Sequence, residues 1–291
     1  KKAERNSVFF DSYHGNEGEI PVGNAPVQND FAPAFLAAAE KCGFDASPSF
    51  DFNGKHQHGV ASYYQYTVLG AHRVSAADGF LTPILDSRPN LVAKPWSQVC
   101  RVMIESHRAR GVEFVSQDGS RHVAKAEREI VLCAGTIESP RLLMLSGVGP
   151  AEQLRANQIH VVTDVTGVGS NLRDHPYVPY ELEAREGPSA GAYPCGGLFT
   201  SSGQVARPSP VDLQFLPYSY AGPDGSPRFA FFVTLVATES AGRIRLRSSN
   251  PNDGPIIEPR YLDHAAEIDG LVRGMEIASE FAGSDPLASR L

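Results

Sequence analysis

Apolar residues fall along this chain in three patterns, and each predicts a different kind of element. Where they recur at helical spacing, as at Phe31, Phe35, Leu36 and Ala39, an amphipathic helix is expected, capped by Asp30 and closed by Gly43. Residues 265–282 repeat that spacing over a longer span, with Ile268, Leu271, Val272, Met275, Ser279 and Ala282 on one stripe. Short β-rich runs predict strands at 90–93, 99–104, 111–115 and 122–124, with Asp118-Gly119 as the turn before the last. Longer runs follow at 211–216, 229–237 and 243–247. In the last of these, Ile244 and Leu246 alternate with Arg243, Arg245 and Arg247, so one face is expected in water. The third pattern is the nearly unbroken apolar run at 129–135, which reads as a strand covered on both faces. Ser139-Pro140 then predicts a helix N-cap and first helical residue, with the helix running to Ser146 and Gly147 beyond its end. Strand, glycine turn and helix form the βα half of a nucleotide-binding unit.

Composition narrows the classes. Hydrophobic residues at 42% and charged residues at 20% suit a packed core and argue against disorder. The 27 glycines and 22 prolines are spread out, so they predict many turns and no single linker. A length of 291 residues suggests two domains, and the change in strand character places the boundary near residue 175. The net charge of −7, with no basic cluster, argues against a nucleic-acid partner. No apolar stretch is long enough to span a membrane, and the charged start has no apolar run after it to make a signal peptide. Cys42, Cys100, Cys133 and Cys195 form no C-x-x-C pair and are expected as reduced thiols.

Several patterns that suggest chemistry fail on inspection. Gly147-Val148-Gly149 and Gly167-Val168-Gly169 do not extend to G-x-G-x-x-G and read as turns. His56-Gln57-His58 has no carboxylate or cysteine at ligand spacing, so no metal site is expected. No G-x-S-x-G elbow occurs, which removes the usual serine hydrolase reading.

The most specific segment is Ala134-Gly135-Thr136-Ile137-Glu138-Ser139-Pro140, continuing through Arg141-Leu142-Leu143-Met144-Leu145 to Ser146-Gly147-Val148-Gly149-Pro150. It resembles the second signature of the glucose–methanol–choline (GMC) flavoprotein oxidoreductases. The resemblance continues through Tyr13-His14-Gly15, Arg88-Pro89-Asn90-Leu91, Asn171-Leu172-Arg173-Asp174-His175, Asp212-Leu213-Gln214 and Pro259-Arg260-Tyr261-Leu262, and so spans nearly the whole chain. It implies an α/β plus α+β fold: part of an FAD-binding Rossmann-like domain over residues 1–175, then a mainly antiparallel-sheet substrate domain over 176–291. It also implies FAD as cofactor and a small-molecule alcohol as substrate, oxidised from CH–OH to C=O with hydride transfer to the flavin, as in choline dehydrogenase-like enzymes.

The residues support part of this on their own. Ala134 and Gly135 have little or no side chain to hold a cofactor off the main chain, and a helix starting at Ser139 aims its free N–H groups at the same crevice. Without the resemblance, they read as an ordinary strand-to-helix turn. Val99 alone is a β-branched strand residue. In the family, the valine that follows the Pro-Asn-Leu strand pairs its backbone with the adenine of FAD, and counting from Asn90-Leu91 places Val99 there. The resemblance also puts Asn171 and His175 near the flavin pocket, whereas Asp174 and His175 read by themselves favour a loop-fixing role.

A GMC enzyme further needs a βαβ unit with G-x-G-x-x-G, a Gly-rich flavin loop, and a C-terminal segment bearing the active-site histidine. None occurs within residues 1–291, so no catalytic residue is assigned, and the chain is expected to be an internal fragment, inactive alone, of a protein roughly twice as long. A hydroxynitrile lyase on the same scaffold and a non-catalytic remnant are the alternatives. In the family the stretch corresponding to 184–210 often carries a longer substrate-side loop, so the short Gly-, Ser- and Pro-rich version here implies a more open entrance.

Overall fold

Two different burial problems shape this chain: a phenylalanine-rich sheet that must be covered by helices, and a smaller aliphatic cluster around Met144. The computed structural model describes residues 1–25, 29–187, 194–204 and 211–291. The stretch at 184–210, on which the open-entrance expectation rests, lies in good part outside them. In chain order the main elements begin with β1 (Glu4–Asn6), β2 (Ile20–Asn24), α1 (Ala32–Lys41), β3 (Gln98–Glu105), β4 (Arg108–Val115), β5 (Arg121–Lys125), α2 (Gly135–Leu145) and α3 (Ala151–Ala156). They continue with β6 (Ser170–Leu172), β7 (Tyr177–Glu183), β8 (Leu198–Thr200), β9 (Leu213–Ala221), β10 (Pro227–Leu235), β11 (Gly242–Arg245), β12 (Ile256–Glu258) and α4 (Ala265–Ala282). Content is mixed α/β with mostly antiparallel sheets. Two compact units result, one of Lys1–Leu91, His175–Glu239 and His264–Leu291, the other of Val92–Asp174 and Ser240–Asp263.

The first unit is built on an antiparallel sheet of order β7-β10-β9-β8. Strand alternation sends Leu213, Phe215, Phe229, Phe231, Val233 and Leu235 into full burial. Phe31 and Phe35 of the α1 region and Phe281 of α4 close over them, with Phe31 stacked on Phe229 at 5.3 Å and Phe281 edge-on to Phe215 at 5.7 Å. Each fully buried phenylalanine contributes about 2–3 kcal/mol before entropy is counted. Gly43 closes α1 in the left-handed conformation, as expected. Asp30 does not cap that helix; the Asn29 side chain accepts the Phe31 N–H instead, at 3.0 Å. Asn29 is itself held by Ser219, whose Oγ accepts the Asn29 amide at 2.8 Å and lies 3.0 Å from the same Oδ1.

Helix α4 spans the predicted residues but buries a different stripe. Gly270, Leu271, Gly274, Ile277, Ala278 and Phe281 face the sheet, while Ile268 and Val272 are exposed. The reason is close approach: a Cβ on Gly274 would stand 2.4 Å from Val233 Cγ1. Glycine lets the helix settle on the sheet, and that gain outweighs burying two aliphatic side chains.

The second unit contains the antiparallel meander β5-β4-β3, and α2 packs against β3. Met144, Leu154, Ile244 and Leu246 form its buried cluster, and β11 sits between β6 and β12. Arg243 and Arg245 lie outward, both paired with Glu258, as the alternation predicted. Two predicted strands are corrected. Residues 90–93 and 129–133 are irregular, and Val92 and Val131 are each 71% exposed. A strand gains its ladder only from a neighbour, and neither run has one among the described residues. The helix after the second run begins at Gly135 rather than at Ser139, so Ser139 is not its N-cap and Pro140 lies inside it. No described helix is long and apolar enough to cross a membrane.

Candidate functional site

Strand β3 sets one side of the candidate cofactor ridge. Val99 pairs with Phe114 and Arg101 with Glu113, which leaves Cys100 as the extra residue of a bulge. Bulges re-aim side chains next to functional sites, and here Val99 remains 37% exposed. On the exposed side of this pair, the Arg101 guanidinium meets both Glu113 oxygens at 2.8 and 2.6 Å. That contact holds Glu113 below the usual carboxylate range.

The start of α2 forms the other side. Ala134 and Gly135 are exposed, no side chain caps the helix, and Gly135 has φ +82° with nothing within 4 Å of the place a Cβ would occupy. The first turn therefore presents N–H groups that have no intrahelical acceptor to an open surface. An anionic dinucleotide fits this donor set and this bare main chain. Ser139 is half-buried within the second turn. Asn171 lies in β6 with φ +60°, and its Oδ1 accepts the Arg173 Nε–H at 3.2 Å. Val99, Ala134, Gly135, Ser139 and Asn171 thus belong to the second unit, whereas His175 is exposed at the start of a segment of the first. Asp174 accepts the Tyr261 hydroxyl at 2.5 Å, a bond that raises the tyrosine's pKa and ties this loop to Tyr261.

In the first unit, the sheet face opposite the helices is aromatic. Tyr177, Leu216, Tyr218, Tyr220, Phe232 and Thr234 line a shallow hollow of about 600 Å³. Tyr177 and Phe232 meet edge-to-face at 5.4 Å. Tyr220 donates to Glu181 Oε2 at 2.6 Å, and burial together with that bond pushes its phenol up to about 12. It therefore remains a protonated donor across the neutral range. The sequence reading passed over this surface, although Leu216, Tyr218 and Tyr220 at every second position were a readable signal.

A second polar cluster of the first unit was also missed. His14 is buried, with Nδ1 at 2.7 Å from Glu4 Oε1 and Nε2 at 2.8 Å from Asp51 Oδ2. Asn6 and the Gly15 N–H also donate to Glu4, at 2.8 and 3.1 Å. Burial would raise Glu4, but these bonds win and hold it at about 2. Burial likewise opposes the charge on His14, yet its two carboxylate partners raise its pKa. The arrangement suits an imidazolium between two carboxylates. Asp11 lies near enough to complete a three-residue group with His14 and Asp51. Both ring nitrogens of His14 already meet carboxylates, so that group reads as an ion cluster.

Comparison with known proteins bears on these surfaces. The profile described as GMC oxidoreductase matches residues 4–177, and its C-terminal counterpart matches residues 238–290. Mitochondrial choline dehydrogenase of Mus musculus is 33% identical over 318 residues, covering 99% of this chain and 52% of that protein. The alcohol dehydrogenase [acceptor] of Pseudomonas putida is 32% identical over 313 residues, covering 95% of this chain and 55% of its own length. Among solved structures, pyridoxine 4-oxidase from Mesorbium loti superposes with a TM-score of 0.88 at 26% identity, over 99% of this chain and 58% of that one. The chain spans about half the length of the curated relatives it matches.

Proposed function

The chain belongs to the GMC oxidoreductase family, and on that premise we propose that it forms part of an FAD-dependent oxidoreductase acting on the CH–OH group of a small alcohol. The observation that carries this reading is the start of α2. There the family segment presents a glycine at φ +82°, open space above it, and an uncapped helical turn. When bound, FAD would supply the hydride acceptor.

The roles of this chain's own residues follow in part from their chemistry and in part from the family resemblance. The first-turn N–H groups of α2 and the bare main chain at Ala134-Gly135 would hold an anionic group of the dinucleotide, and the family resemblance assigns the adenine to the backbone of Val99. Ser139 and Asn171 complete the cofactor-side set of the second unit, and the family resemblance names His175 as a further cofactor-side residue. The division of labour puts the cofactor side in residues 1–175 and the substrate side in 176–291. On the substrate side, Tyr177, Tyr218 and Phe232 give an apolar platform that orients a small alcohol and excludes water, and the Tyr220–Glu181 pair keeps one polar edge. The base that takes the hydroxyl proton is not assigned to any residue of 1–291.

Anaerobic addition of choline and of simple primary alcohols to the full-length protein tests this. Bleaching of a bound yellow flavin is expected. Cyanide release from a cyanohydrin without bleaching would identify a lyase instead, and a full-length protein free of flavin would sink the reading.

A further inference from the structure

We propose that Arg141, with the turn at residues 248–254 that it grips, is a positioning residue that sets the spacing between β3 and the start of α2. This rests on the cofactor reading of those two segments. Arg141 is 8% exposed, among the buried residues of α2. A buried guanidinium is tolerated only when its donors are satisfied. One nitrogen meets Glu138 at 2.5 Å, and the other donates to the Pro251 and Asp253 carbonyls at 2.6 and 2.7 Å.

The turn it holds is rigid in its own right. Asp253 accepts the Ser248 hydroxyl at 2.5 Å and the Asn250 amide at 3.1 Å, and Asn250 Oδ1 accepts the Asn252 N–H at 3.1 Å. The Pro251 carbonyl also accepts from Gln98 Nε2 at 3.0 Å, and Gln98 directly precedes Val99. One carbonyl oxygen therefore joins the strand of the candidate adenine contact to the helix of the candidate phosphate contact. Toward the other end of α2, Ser146 Oγ accepts the Val102 N–H at 2.8 Å, so helix and strand are tied at two points. A planar fork reaching two carbonyls and a carboxylate is arginine chemistry, which lysine reproduces only in part.

The test uses the full-length protein with Arg141→Met, Arg141→Lys, Gln98→Ala and, as control, Arg101→Gln, which removes only the exposed pair with Glu113. In the absence of FAD, the amides of residues 98–102 and 141–145 are expected to exchange about tenfold faster in Arg141→Met, with partial recovery in Arg141→Lys. FAD affinity of the folded protein should weaken by about tenfold in Arg141→Met and less in Gln98→Ala, while Arg101→Gln stays within about twofold of wild type. Should Arg141→Met fail to fold, Arg141→Lys and Gln98→Ala carry the same comparison. A lowered melting temperature with unchanged amide exchange and unchanged FAD affinity would make Arg141 merely structural and overturn the proposal. A wild-type protein that binds no FAD overturns the cofactor reading itself, and the exchange data then still decide whether the keystone holds the two segments.

Discussion

Gly135 concentrates the chemistry of the ridge in one backbone angle. At φ +82° an L-residue costs about 1–2 kcal/mol, although a Cβ there would touch nothing. Gly135→Ala is therefore expected to lower stability by about 1 kcal/mol in urea unfolding and to weaken FAD binding by about tenfold in a fluorescence titration. A variant that keeps full affinity would remove Gly135 from the site. His14 acts through charge. Its pKa is raised above 6.5, so its stabilisation is complete below that pH and lost as pH rises through the higher folded-state value. Glu4, held at about 2 against an ordinary 4.5, works in the opposite direction: its contribution is present above pH 4.5 and disappears as pH falls toward 2. His14→Gln should cost about 3 kcal/mol near neutral or slightly acidic pH and flatten the loss of stability expected on going alkaline, as read from urea midpoints. An alkaline slope equal to wild type would assign that slope to another group. Neither the angle at Gly135 nor the two partners of His14 could be read from residue types alone. The Tyr13-His14-Gly15 resemblance marked the histidine, but the separation of 37 positions between His14 and Asp51 hid the pair.

At the scale of the element, helix α4 separates what periodicity reveals from what it does not. Its bounds were legible because apolar residues recur at helical spacing over 265–282. Its buried face was not, because glycine has no hydrophobicity to register and yet sets how closely the helix approaches the sheet. Gly274→Ala would gain about 1 kcal/mol of helix propensity but press a methyl into Val233, so a net loss of about 1–2 kcal/mol is expected. Ile268→Lys and Val272→Lys, on the exposed face, should each stay within about 0.5 kcal/mol of wild type. Urea midpoints of the three variants check both statements, and the reverse ranking would restore the predicted stripe. Helix α2 gives a complementary lesson. Ser139-Pro140 is a sound start signal by local chemistry, but the chain turns into the helix four residues earlier, at the left-handed Gly135.

The whole molecule combines a helix-covered sheet in one unit with an α2–β3 ridge in the other, and the chain passes between the two units four times. Residues 1–291 contain no G-x-G-x-x-G loop for the pyrophosphate, so expressed alone they are expected to lose FAD on desalting, whereas the full-length protein should remain yellow. Stoichiometric flavin on residues 1–291 alone would show that the α2 ridge suffices. By itself the sequence determined the family, the strands β3–β5 and β9–β11 and the bounds of α4, because these follow from contiguous motifs, turn residues and local period. Only the tertiary structure decided which runs find a ladder partner, which face of α4 is buried, and that Arg141 meets a carbonyl 110 residues away. Pairing and burial depend on where distant segments meet in space, and neither a period nor a motif specifies its partner.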